Sequence, residues 1–421
     1  MDPRWIYLDY AATTPLDPRV AEAMKRHLGG EGVPPSNLAG NPSSLHQAGR
    51  LARETVERAR AQVASLLNCV PDSIVFTGSG TEADNLALRG VLSGGPPHGA
   101  GGQVQADGQP HPSPAGHIVV SAIEHPAILE TCRDLEQHEV GVSYLPVDAE
   151  GIAEVSALET LLRPDTRLVS VMAANNVTGT LQPIRELAEV AHRHGVLFHT
   201  DAIQAAGRIP LDVEALGVDL LSISAHKLYG PQGVGALYVR PGLMLAPIVH
   251  GGGQERGLRS ATENVAGLAG FGTAAEIAQA EISAEAVRVV TLRERLWKKI
   301  KSLVPPAYVI GHRYRRLPGH LCLGFGGLEG EAIKLLLALD EKGVMVSTGS
   351  ACSAHHAGEP SHVLQAMGFD PIRARGSLRV TFGRLTTEEE IDRFAQVLAR
   401  AVADLRPLVT HRQPTTRDAR G

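Results

Sequence analysis

"SISAHKLYGPQGVGALYV", residues 222–239, decides how this chain is built. Its first residues close the run "DLLSISA" (219–225), which is apolar and β-leaning. The run ends in His226-Lys227, a Gly/Pro-rich stretch follows, and a second β-like run extends from Val234 to Val239. Lysine is rarely buried without a partner. A lysine at the mouth of a buried strand therefore asks what it serves.

Strand-like and helix-like segments alternate on the N-terminal side. "SIVFT" (73–77) precedes a helical stretch from Thr81, and "GHIVVSA" (116–122) precedes "HPAILETCRDLEQH". "RLVSVMAA" (167–174) leads through "PIRELAEVAHRHG" to "VLFHTDA" (196–202) and then to the opening stretch. This repetition predicts an α/β fold with a mostly parallel sheet and helices on both faces. Residues 43–67 read as a long helix, with Val56, Ala59, Val63, Leu66 and Leu67 at helical spacing. Near residue 265 a long helical run begins, followed by short strands and a last helix from about Thr387 to Leu405. The pattern divides the chain into a large domain, 16–265, and a smaller α+β domain made of 1–15 and 266–406. Residues 93–116 form a Gly/Pro-rich insertion and 407–421 a tail, both expected to be disordered.

The chain has 421 residues, 43% hydrophobic and 20% charged, with a net charge of −5. That is ordinary globular composition, without the basic surface that nucleic acid requires. No signal-peptide core and no membrane-spanning run is present, so a cytoplasmic protein is expected. The four cysteines form no CxxC pair. Cys69, Cys132 and Cys322 sit in apolar surroundings and read as small hydrophobes. Cys352 does not: it lies among small residues in "VSTGSACSAHHAGEPSHVL", between Gly349 and Gly358.

Open parallel sheets hold their ligands at the carboxyl ends of the strands, and reactive residues of this chain fall there. Gly78 to Thr81 follow a strand and open a helix, an arrangement suited to an anion. Asp201 ends the strand "VLFHTD", with Gln204 just beyond, and Lys227 ends the next strand unit. Pyridoxal phosphate needs a lysine for its Schiff base, an acid for its ring nitrogen and a phosphate cradle. A plain salt bridge between Asp201 and Lys227 is the simpler alternative.

"LDYAATTPLDPRV", "GNPSSLHQAG", "VFTGSGTEADNLAL", "EHPAILET", "ANNVTGTLQPI", "HTDAIQAAGRIPLD", "SAHKLYGPQGVGALYV", "GGGQERGLRSATEN" and "STGSACSAHH" follow in order. Together they resemble the cysteine desulfurase family (NifS/IscS-like, class V), pyridoxal-phosphate enzymes of aminotransferase-like fold type I. The resemblance runs from about residue 5 to 405, omitting the insertion and the tail. It implies that Lys227 carries the cofactor, Asp201 pairs with the ring nitrogen and Gln204 bonds the ring hydroxyl oxygen. It implies that His125 stacks on the ring and shuttles protons, the plainer reading of this residue being a helix cap. Gly80, Thr81, Ser224 and His226 would hold the phosphate, and Thr262 would reach the phosphate of a partner subunit, which implies a homodimer. Asn176 and Arg379 would grip the substrate carboxylate, a task suited to the planar arginine fork.

The resemblance further implies that Cys352 takes sulfur from L-cysteine as a persulfide and hands it to an acceptor protein, a scaffold or a sulfur carrier. L-alanine is the other product. Iron–sulfur cluster assembly and tRNA thiolation are the uses such sulfur has in the family. His355 or His356 stands near enough in sequence to favour the Cys352 thiolate. The alternative activity is a selenocysteine lyase. A metal site of Cys352, His355, His356 and His362 also stays open on spacing alone. Val177 and Gln254 depart from the residues common in the family at those places.

Overall fold

The structure, a computed structural model, describes residues 5–28, 40–94, 116–349 and 359–410. After the short strand β1 (Ile6–Tyr7) come the helices α1 (Pro18–Lys25) and α2 (Gln47–Leu66). The strands β2 (Ile74–Thr77), β3 (His117–Ser121), β4 (Gly141–Leu145), β5 (Thr166–Ser170), β6 (Leu197–Asp201), β7 (Leu220–Ser224) and β8 (Gly235–Val239) follow. Between them run α3 (Gly80–Ser93), α4 (Pro126–Glu136), α5 (Val155–Leu161), α6 (Ile184–Arg193) and α7 (Val213–Leu216).

The seven strands form one sheet in the order β2-β8-β7-β6-β5-β3-β4. The pairs from β4 to β7 are parallel, as the strand–helix alternation predicts. β8 runs antiparallel to both β7 and β2. The physical reason is the short link from Ser224 to Gly235, too short for the crossover a parallel neighbour needs. β3, β6 and β7 are buried along their whole length, because helices cover both faces of the sheet. Leu86, Ile118, Leu168 and Leu220 pack on one side, and Val119, Val169, Phe198 and Leu221 on the other.

The 39-residue helix α8 (Val265–Leu303) leads into the C-terminal part. There β9 (Ala307–Ile310), β10 (His320–Phe325), α9 (Ala332–Asp340), β11 (Val344–Met345), β12 (Ser347–Thr348), α10 (His362–Ala366), β13 (Ser377–Thr381) and α11 (Glu388–Thr410) follow. A four-stranded antiparallel sheet, β12-β13-β10-β9, packs on α8, α9 and α11 around Leu296, Leu323, Leu378 and Phe394. β1 pairs in parallel with β11, placing Ile6 and Leu8 in this same core.

Three boundaries differ from the sequence pattern. α2 begins at Gln47 rather than residue 43, because the His46 ring caps it and accepts the Gly49 N–H at 3.3 Å. α11 continues to Thr410, past the expected end at Leu405. Pro407 stands within its last turn. β4 and α5 form an edge unit that the pattern left unassigned. The insertion lies mostly outside the described residues, as do residues 411–421.

Candidate active site

The carboxyl ends of β5, β6 and β7 open on a cavity of about 540 Å³. Its opposite wall comes from the N-terminal segment Asp9–Thr13 and from Ser347 and Arg379 of the C-terminal sheet. The site therefore lies between the large sheet and the C-terminal sheet, and long-range packing assembles it.

Lys227 stands on a single helical turn, Ala225–Lys227, directly after β7. Its stem is half-buried and its Nζ donates to the carbonyls of Ala11 at 2.5 Å and Ala12 at 2.7 Å. That is the partner a lysine at a strand mouth requires. Asp201 is the last residue of β6 and is buried, and its Oδ1 accepts the Ile203 N–H at 2.8 Å. Burial raises its pKa, and the bond from the Ile203 N–H and the nearby Lys227 charge pull it back. The two groups share one cavity.

His125 caps α4, its Nδ1 accepting the Ala127 N–H at 3.1 Å, and it also lines the cavity. His125 therefore both caps the helix and faces the cavity. Burial lowers its pKa, so the ring is neutral near pH 7. With Nδ1 accepting, the proton of the neutral ring sits on Nε2. Cap formation thus sets the tautomer.

The phosphate-like turn is built by close packing. Ser79 caps α3, accepting the Glu82 N–H at 3.1 Å, and Gly80 and Thr81 form its first turn at the cavity. A Cβ on Gly80 would lie 2.2 Å from Ile203 Cδ1 and 3.3 Å from Ser224 Cβ, so any larger residue there would have to displace the Ile203 side chain. Ser224 and His226 line the same end. His226 bonds Thr13 Oγ1 through Nδ1 at 3.1 Å, and burial pulls its pKa down to about 4. Gln204 donates from Nε2 to Ala11 O at 2.9 Å, while its Oε1 accepts from Arg208 at 3.0 Å. One N–H of that amide remains for a ligand.

Arg379 is 2% exposed although charged. Its Nη1 donates to the Asn176 carbonyl at 3.0 Å and its Nη2 to Asp9 Oδ1 at 2.9 Å. Its Nε has no partner among the described residues. A buried guanidinium with an unused edge suits a carboxylate ligand.

Some expected residues lie elsewhere. Thr262 is exposed and outside this cavity. Cys352, His355 and His356 lie outside the described residues. His362 is exposed, with its Nε2 at 3.0 Å from the Glu124 carbonyl. Among the described residues no three His, Cys, Asp or Glu side chains stand together as a metal site. Burial lifts the thiols of Cys69 and Cys132 to about 12 and that of Cys322 to about 11, which makes all three poor nucleophiles near neutral pH.

The sequence reading missed the wall residues Asp9, Ala11, Ala12 and Thr13. Their signal was present in "LDYAATTP", but nothing local says that this segment crosses to Lys227. A buried polar layer under the cavity was also missed. His199 bonds Ser170 Oγ at 2.8 Å and Ser222 Oγ at 3.0 Å, beside Asp84, and burial brings its pKa down to about 3. Burial likewise raises the carboxyls of Asp84 and Glu124 well above the ordinary range.

Known proteins share this fold. The class-V aminotransferase family model matches residues 6–394. A protein of Dictyoglomus turgidum described as cysteine desulfurase IscS is 44% identical over 410 residues, covering 97% of this chain and 98% of its own. A solved NifS-like protein superposes with a TM-score of 0.83 at 36% identity, covering 95% of this chain and all (100%) of its own. A solved structure of SspA in complex with cysteine superposes at 0.74 with 32% identity, covering 90% of this chain and 99% of its own. The match to the family model and these near-full-length relatives identify this chain as a member of the class-V aminotransferase family, in its group of IscS- and NifS-like cysteine desulfurases.

Proposed function

We propose that this protein is a pyridoxal-phosphate-dependent cysteine desulfurase that converts L-cysteine to L-alanine and holds the sulfur as a persulfide on Cys352. The observation that carries the reading is one cavity with Lys227 and Asp201 on its floor and a buried Arg379 in its wall. The residues present fit the cofactor. Asp201 is a buried carboxylate at a strand end, where a protonated ring nitrogen would satisfy it. Gly80, Thr81, Ser224 and His226 line the cavity at the start of α3, which suits the phosphate. Bound there, the cofactor supplies an electron sink for carbanion chemistry at the amino acid α-carbon.

The chain's own groups do the rest. Arg379, held by Asp9 and by the Asn176 carbonyl, orients the substrate carboxylate. Lys227 Nζ takes the α-proton and is steered by the Ala11 and Ala12 carbonyls. His125 presents its Nε2 proton over the cavity. The Cys352 thiolate attacks the substrate sulfur, an S–S bond forms and the Cβ–S bond breaks. The carbon gains the proton that the thiol gave up, so alanine and the persulfide balance cysteine and the thiol. The proposal includes a cytoplasmic homodimer, in which the exposed Thr262 reaches the partner's cavity, and a protein that accepts the sulfur for iron–sulfur assembly or thiolation. No described helix is long and apolar enough to cross a membrane.

The test is an absorbance scan of the purified holoenzyme before and after L-cysteine, with alanine and sulfide assayed in the same tube. A shifted cofactor band with alanine and sulfide formed together supports the reading. Alanine formed from selenocysteine but none from cysteine overturns it in favour of a selenocysteine lyase. Undiminished sulfide release by Cys352→Ala removes Cys352 from the reaction.

A further inference from the structure

Glu82 is an acid where an anion is expected to bind. It lies in the first turn of α3, and its Oε2 accepts the Gly78 N–H at 2.9 Å. One N–H of the anion turn is thus already used by a carboxylate. An uncompensated charge there would oppose a phosphate at Gly80 and Thr81.

The compensation comes from a distant loop. Arg259 Nε donates to Glu82 Oε1 at 2.8 Å and Nη2 to Oε2 at 3.3 Å, a two-armed contact. The pair is packed on the turn itself: a Cβ on Gly78 would lie 2.8 Å from Glu82 Oε2 and 3.2 Å from Arg259 Nη2. Both side chains are mostly shielded, at 23% and 21% exposure. The loop that delivers Arg259 is itself fixed. Glu255 and Arg256 sit at φ 48° and 58°, in the left-handed region that side chains avoid. They are held there by a buried two-armed contact from Arg60 to Glu255, at 2.7 and 2.8 Å, and by the Phe76 N–H at 2.8 Å.

We propose that Arg259 is a positioning residue for the cofactor phosphate, acting by neutralising Glu82 and holding it on the Gly78 N–H. The inference rests on the pyridoxal-phosphate reading of the cavity. Arg259 does not touch the phosphate in this proposal; it removes a repulsion and stiffens the turn. Its effect is therefore specific to ligands that carry the phosphate.

The experiment titrates the apoprotein with pyridoxal 5′-phosphate and, separately, with pyridoxal, following absorbance. Arg259→Gln weakens pyridoxal 5′-phosphate about tenfold and leaves pyridoxal unchanged. Adding Glu82→Gln to that variant restores binding to within about threefold, because the repelling charge is gone. Arg259→Lys keeps the charge and stays near wild type, which holds the test open if Arg259→Gln is poorly folded. Equal weakening of both ligands, or no rescue in the double variant, overturns the proposal. No rescue points instead to a direct arginine–phosphate contact. A wild-type apoprotein that takes up neither compound overturns the cofactor reading itself.

Discussion

Arg379→Gln is the perturbation whose outcome the structure determines most directly. The guanidinium is buried against Asn176 and Asp9, with its Nε edge unused. A substrate carboxylate reaching the cavity-facing guanidinium gains two charge-assisted hydrogen bonds, each contributing about 1.5–3 kcal/mol. Solvent competition and the share already taken by Asp9 bring the pair to about 3–4 kcal/mol, or roughly 10²–10³-fold in kcat/KM. Most of the loss belongs in KM, because the carboxylate is gripped equally before and during the reaction. Steady-state alanine formation measures it. Cysteamine, which has no carboxylate, supplies the control: its slow turnover should be the same in both enzymes. Arg379→Lys keeps a charge for Asp9 but not the fork, and should lose about tenfold. If Arg379→Gln lowers kcat alone, and lowers cysteamine turnover equally, the arginine is structural and the substrate-grip argument is wrong.

Three further outcomes follow from the same coordinates. Gly80→Ala places a Cβ 2.2 Å from Ile203 Cδ1, so cofactor retention should fall, and Ile203→Ala in the same chain should restore part of it; equal retention in both variants would refute the packing argument. Glu255→Leu takes the two-armed partner from the buried Arg60 and leaves it the exposed Glu57 and the Ile74 carbonyl, with an expected cost of about 1–3 kcal/mol in chemical denaturation, and an unchanged midpoint would contradict the pair's role. His199 has its pKa lowered by burial to about 3, so the unfolded chain binds a proton that the folded chain refuses between about pH 6.5 and 3. Its contribution to stability is present above pH 6.5 and falls with acid by up to about 1.4 kcal/mol per pH unit, and denaturation of His199→Asn at pH 5.5 and 4.5 should lack that slope.

The sequence by itself determined the parallel sheet and the residues at its strand ends. Apolar runs such as "VLFHTD" and "LLSIS" are long enough to be strands only where helices cover both faces, and Asp201 and Lys227 then fall at one edge. These are local signals, carried by neighbours in the chain. Cys352 was singled out by its small neighbours, and its proposed chemistry is what the resemblance carried by the nine ordered motifs implies. Only the tertiary structure showed that the Ala11 and Ala12 carbonyls reach Lys227, across 216 and 215 residues of chain. It also gave Arg379 its acid partner, Asp9, 370 residues away. It showed that the cap on α4 sets the tautomer of His125, and that Glu82 at the anion turn is neutralised by Arg259. Such contacts depend on how β1, β13 and the 251–262 loop pack on the large sheet. Side-chain periodicity encodes which face of an element is buried, and carries no record of the distant segment that comes to lie against it.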